Sequence, residues 1–123
     1  MTRGTSLRTT REQFEDYTDE GAMFTTSGTT VLWNPEAPGA VLDLTANFTI
    51  IPNTDKLVAG KKYFIHIRQD SSGSRKLTWG AAFRWHQDAE PELNTEANAD
   101  EVFEFYCNGS LLFGRKFYTS LSE

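Results

Sequence analysis

Acidic side chains outnumber basic ones 17 to 12 over 123 residues, giving a formal charge of −5 and a pI near 5.0; this excludes nucleic acid as the main partner, because phosphate contacts need clustered Lys and Arg. The length holds one ordinary domain with a core that needs no staples, and the single thiol, Cys107, excludes an internal disulfide framework. No apolar run approaches membrane-spanning length and the N-terminus lacks the basic-then-apolar pattern of a signal peptide, so the chain reads as soluble, with no membrane partner.

Met1 to about Gly28 is rich in Thr, Ser, Gly and charge and poor in aliphatics. Thr10 can cap a short helix with Gln13 as its capping-box partner, Phe14 and Tyr17 share a face, and Gly21 suits the C′ position. So few core candidates gain little by folding alone. Residues 1–28 are therefore expected to form an extended arm with at most one or two helical turns, and residues 29–123 a separate domain.

From Thr29 the apolar residues recur at short intervals. Val31-Leu32-Trp33 is a short strand ended by Asn34-Pro35, and Pro38-Gly39 is a turn. Val41–Leu44 and Phe48–Ile51 are the next strands, and Pro52 ends the second because it cannot donate to a ladder. Lys62–Gln69 is the longest strand; Tyr63, Ile65 and Ile67 face the core while Phe64, His66 and Arg68 face outward. Asp70–Ser74 is a loop, and Leu77-Thr78-Trp79 and Phe83-Arg84-Trp85 follow. Gln87–Asn98 is a surface loop. Val102–Cys107 turns through Asn108-Gly109 into Leu111-Leu112-Phe113, a hairpin in which both turn residues take positive φ. Short strands with turns every eight to twelve residues predict an all-β, antiparallel sandwich of jelly-roll type. Its core comprises Leu42, Leu44, Phe48, Ile50, Tyr63, Ile65, Ile67, Leu77, Trp79, Phe103 and Phe105, with Cys107 as a small buried hydrophobe.

Charge is unevenly spread. Lys56, Lys61, Lys62, Arg68, Arg75, Lys76 and Arg84 make the middle basic, whereas Asp88 to Glu104 carries seven acids and no base. A solvated surface explains this; a sharper reading packs the basic face of one copy against the acidic face of the next.

Chemistry is weakly signalled. Glu90, Glu92, Glu96, Asp100, Glu101 and Glu104 supply carboxylates, but a glycosidase pair needs one raised pKa across a cleft. Neither His66 nor His86 lies in a nucleophile motif, and His86, Asp88 and Glu90 do not match a strong metal-ligand pattern. The expectation is a non-enzymatic protein without metal or cofactor. Trp33, Trp79 and Trp85 follow strand alternation and read as core; if any aromatic is exposed for sugar stacking, Trp85-His86-Gln87 is the place.

An ordered series of segments carries a resemblance: Leu42-Asp43-Leu44 with Asn47-Phe48-Thr49; Gly60 with Tyr63–Asp70; Gly73-Ser74-Arg75-Lys76-Leu77-Thr78-Trp79-Gly80; Phe83-Arg84-Trp85 with Pro91-Glu92-Leu93; and Asn98–Phe105 with Asn108-Gly109-Ser110. Over roughly Val41 to Gly114 the chain resembles a β-sandwich domain of tailed-bacteriophage virion proteins, found in tail fibres, head fibres and related components. It departs where many fibre versions carry a Gly-Gly turn and this chain has His86–Glu90. The resemblance implies a virion structural role. A single domain with an arm suits a capsid decoration, or cement, protein, a homotrimer on the capsid surface that ties shell subunits together. Its arm residues Arg3, Leu7, Arg8, Arg11, Phe14 and Tyr17 would hold the major capsid protein or another virion protein. The alternative is a tail-fibre or head-fibre module that recognises host-surface glycan, with Trp85, His86 and Gln87 as contacts.

Overall fold

The computed structural model describes residues 23–120. Nine strands run in chain order: β1 (Phe24–Ser27), β2 (Thr30–Trp33), β3 (Gly39–Leu44), β4 (Phe48–Pro52), β5 (Lys62–Gln69), β6 (Leu77–Trp79), β7 (Phe83–Trp85), β8 (Asp100–Cys107) and β9 (Leu112–Thr119). Short 3-10 turns at Thr54–Lys56 and His86–Asp88 are the helical elements of the described residues. The strands form two sheets, one ordered β1-β2-β4-β6 and the other β3-β5-β8-β9-β7.

The all-β expectation holds, but the antiparallel one does not. β2/β4, β4/β6, β3/β5 and β7/β9 pair in parallel, and only β1/β2, β5/β8 and β8/β9 are antiparallel. The reason lies in the connections. Consecutive strands from β2 to β7 alternate between the sheets, so each returns to its own sheet after visiting the other. β2 reaches β4 through residues 34–47, which include β3, and β4 reaches β6 through residues 53–76, which include β5. Parallel neighbours need a crossover of about a dozen residues or more, usually a helix; here a strand of the opposite sheet serves. The path is a solenoid-like coil, unlike the all-antiparallel order of a jelly roll.

Both sheets turn their apolar faces to one core. Val31, Trp33, Ile50, Leu77 and Trp79 come from the first sheet, and Leu42, Leu44, Tyr63, Ile65, Ile67, Phe83, Phe103, Phe105, Cys107 and Leu112 from the second. Aromatic rings bridge them edge to face: Trp33–Tyr63 at 5.4 Å, Trp79–Phe83 at 5.0 Å and Trp79–Phe103 at 5.0 Å between centroids. Such pairs add about 0.5–1.5 kcal/mol each beyond their burial. Of the residues expected in the core, Phe48 and Trp85 lie at its margin, partly buried.

Two local readings change. Phe24–Ser27, read as arm, is β1 and pairs antiparallel with β2, and Met23 before it is buried. The hairpin between β8 and β9 exists, but Asn108–Leu111 forms its loop, with Cys107 opposite Leu112. Gly109 has φ of +106° and Asn108 is not in the left-handed region. The Asn108 carboxamide oxygen instead accepts from the Ser110 and Leu111 amides, at 3.0 and 2.8 Å. Asn108 thus closes the turn by an Asx bond rather than by a left-handed backbone.

The long segment before β8 is fastened at two points. The Asp70 carboxylate accepts from the Ser72 and Gly73 amides and from Arg75, and Ser74 donates its amide to the Thr95 carbonyl at 2.7 Å. Gly73 is required there, with φ of +69° and the Ala97 nitrogen only 2.7 Å from where a Cβ would stand. Further along, buried Glu101 accepts from the Asn94 amide at 2.9 Å and pairs with Lys116 Nζ at 2.8 Å.

Candidate interaction face

Strand alternation divides the second sheet. Tyr63, Ile65 and Ile67 of β5 and Phe103, Phe105 and Cys107 of β8 are buried inward. Their neighbours Lys62, Phe64, His66 and Arg68, and Asp100, Val102, Glu104 and Tyr106, therefore project from the outer face. On β9 Phe113 stands opposite Tyr106, and Arg115 opposite Glu104. The register then slips between Val102 and Phe103, leaving Phe117 as the extra residue of a bulge and setting Tyr118 opposite Val102.

This face is unusually apolar for an outer surface. Five of the seven exposed large hydrophobics among the described residues lie on it: Val41 (45%), Tyr106 (50%), Phe113 (45%), Phe117 (56%) and Tyr118 (53%). Scattered single exposures need no explanation, whereas clustering marks a site of interaction. The Phe64 and Phe117 rings meet edge to face at 5.8 Å, and the Arg115 guanidinium lies 5.8 Å from the Phe117 centroid.

Polar and charged side chains on the face engage one another. Glu104 sits between Lys62 (3.2 Å) and Arg115 (2.7 Å), and these cations hold its carboxyl below the usual range, Arg115 most strongly. Arg68 meets Asp43 at 2.7 Å and His66 meets Asp100 at 2.8 Å. Acidic β8 thus lies between basic partners on β5 and β9 of its own chain. One pair, Lys62 with Glu104, joins the basic middle to the acidic segment; Lys56, Arg68 and Arg75 of the middle pair instead with Glu36, Asp43 and Asp70.

At the end of the face where β5 begins, a shallow depression of about 400 Å³ is bordered by Lys62, His86, Glu104, Tyr106, Phe113 and Arg115. Tyr106 and Phe113 supply its aromatic surface and the Lys62–Glu104–Arg115 ladder its polar rim. Of the residues expected to touch glycan, His86 borders this depression, and Trp85 contributes to its lining. The Trp85 ring, however, packs on Trp79, Phe103 and Phe105 at 5.3, 6.0 and 5.6 Å, so it is spent largely on the core. Gly114 makes room for this packing, since a Cβ there would stand 2.4 Å from the Phe105 ring and 2.9 Å from Trp85. Gln87 is exposed, has φ of +54° and is not among the lining residues. Arg3, Leu7, Arg8, Arg11, Phe14 and Tyr17 lie outside the described residues.

Tyr106 and Phe113 were not singled out from the sequence, although a signal was present. Tyr106 alternates with Phe105 and so faces away from the core, and the hairpin at Asn108 brings β9 beside it. Acid–base chemistry finds little support here. Glu101 is tied to Lys116 and Glu104 is held ionised, the reverse of what a general acid needs. Among the described residues no three His, Cys, Asp or Glu side chains gather as metal ligands.

Comparison with protein families decides the setting. Residues 24–111 match the family described as "Putative phage tail fibre C-terminal domain". The chain belongs to this family. It is a structural protein of the bacteriophage virion. The match starts at the first residue of β1, in agreement with a domain that includes this strand. No curated protein and no solved structure matches the chain.

Proposed function

We propose that this tail fibre family member is a non-enzymatic module that binds saccharide on the host surface at the Tyr106–Phe113 depression, within a fibre built with other virion proteins. The carrying observation is an exposed cross-strand aromatic pair beside a fixed charged ladder. Sugar rings offer apolar C–H faces that stack on aromatic side chains and hydroxyls that bond to polar neighbours, and the depression offers both. The family description also favours a tail or fibre position over the capsid-surface cement trimer that the sequence suggested first. Two sheets closing on one aromatic core are read as a coiled sandwich, stiff enough to hold this surface at a fibre end.

The test is binding of the labelled full chain to an array of bacterial surface polysaccharides and to host cells. Tyr106→Ala and Phe113→Ala should each weaken binding about tenfold, equivalent to roughly 1.4 kcal/mol, with unchanged circular dichroism. Equal binding by both variants and the parent would refute the assignment.

A further inference from the structure

We infer that the saccharide taken by the Tyr106–Phe113 depression is acidic, with a carboxylate that meets the cations framing the aromatic pair; the inference rests on the saccharide reading and names its ligand class. Strand register builds the frame. Lys62, Tyr106, Phe113 and Arg84 stand in one row across β5, β8, β9 and β7, and Arg115 follows Phe113 on the same face of β9, opposite Glu104. Adjacent strands lie about 4.8 Å apart, so the Lys62 and Arg84 backbones flank the aromatic pair about 14 Å from each other. All three cations are exposed. Among the described residues Glu104 is the acid paired with Lys62 and Arg115, and Arg84 is paired with none. Three positive charges and one negative make +2 here, on a chain that carries −5 in total.

Unused donors point to the ligand. Arg115 meets Glu104 through Nε at 2.7 Å, and Arg84 donates its Nε to the Ala81 carbonyl at 2.9 Å. Both guanidinium groups therefore keep their terminal Nη donors without hydrogen-bond partners among the described residues. A planar guanidinium with free donors receives a carboxylate through paired hydrogen bonds, and Lys62 adds a point charge. The Glu104 side chain is 12% exposed, against 63 and 67% for Lys62 and Arg115, so the two cations cover the acid that holds them. Glu104 is thus a positioning residue. Its charge also selects among anions, because repulsion grows with the charge brought in: a singly charged carboxylate fits better than a doubly charged phosphate. The acidic balance of the whole chain does not oppose this. At physiological salt charges are screened over about 8 Å, so a ligand on this face answers to the cations it touches.

Binding of the labelled full chain to bacterial surface polysaccharides in three groups, neutral, uronate-containing and phosphodiester-containing, tests the inference. Each uronate polymer is measured before and after chemical reduction of its carboxylates to alcohols. The chain should prefer the uronate group, and reduction should weaken binding at least about tenfold, as loss of a charge-assisted hydrogen bond does. Arg115→Gln and Arg84→Gln should each weaken uronate binding by about the same factor and leave binding to the reduced polymers unchanged. Lys76→Gln, which removes one exposed positive charge beside the other sheet, should have no effect. Circular dichroism verifies that each variant folds, and the two arginines lie on different strands, so either one serves alone. Equal binding before and after reduction, still weakened by Tyr106→Ala, overturns the acidic ligand while the saccharide reading stands. Phosphodiester polymers bound as tightly as uronates overturn the choice of carboxylate. A loss in Lys76→Gln equal to that in the arginine variants overturns the local site in favour of diffuse attraction. Binding to no polysaccharide of any group overturns this inference and the saccharide reading together.

Discussion

Removing the Glu101 carboxylate should loosen the fastening of the segment before β8. Glu101 is 1% exposed, whereas the Lys116 side chain is 25% exposed. In Glu101→Ala the Asn94 amide loses its acceptor and Lys116 loses its counter-ion. Breaking a buried pair costs about 3–5 kcal/mol. Because Lys116 can still turn toward water, and its ammonium also donates to the Glu92 carbonyl, the lower end, about 3 kcal/mol, is expected. For a domain near 100 residues this lowers Tm by roughly 12–15 °C. Lys116→Met should be worse, since it strands a carboxylate that has no route to solvent. Replacing both partners, as Glu101→Leu with Lys116→Met, should recover most of the loss, because an apolar pair avoids the desolvation penalty. Calorimetry on the parent, Glu101→Leu, Lys116→Met and the double variant closes the thermodynamic cycle, with Glu101→Ala measured beside it. A Glu101→Ala shift under about 3 °C would mean a weight below 1 kcal/mol, and the account would fail. Additive losses in the double variant would also refute it.

Acid should weaken the fold through Asp70 and Glu104. Both carboxyls are held below their ordinary values, Asp70 chiefly by Arg75 and Glu104 chiefly by Arg115, then Lys62. A lowered folded pKa gives stability that is complete above the unfolded pKa, near 4, and is lost as pH falls through the folded pKa. Denaturant midpoints measured between about pH 6 and pH 3 should fall with pH, and Asp70→Asn with Glu104→Gln should flatten that decline. Gly73→Ala should destabilise by about 2 kcal/mol or more, because the left-handed backbone and the contact with Ala97 both penalise a Cβ; urea melts giving a midpoint equal to the parent's would contradict the described loop packing.

The outer face of the second sheet was only half legible from the chain. Alternation on β5 identified Phe64, His66 and Arg68 as outward, but not which strands would stand beside them. Trp85 read as core, with Trp85-His86-Gln87 as the place for any exposed aromatic; on edge strand β7 its ring turns toward Trp79 and Phe105. Phe117 becomes part of the outer face through a bulge, a one-residue slip that strand periodicity does not announce.

Period-two patterning is a local property, set by which side chains leave water, so the sequence alone determined where most strands lie and that Leu44, Ile65, Trp79 and Phe103 meet in the core. Partner choice between strands is not local. Whether β4 lies beside β3 or beside β2 depends on where the intervening turns deliver the chain, and both arrangements bury the same residues. Only the tertiary structure therefore decided the parallel, coiled pairing, the placing of Glu104 on β8 between Lys62 of β5 and Arg115 of β9, and the exposed aromatic face that follows from that pairing.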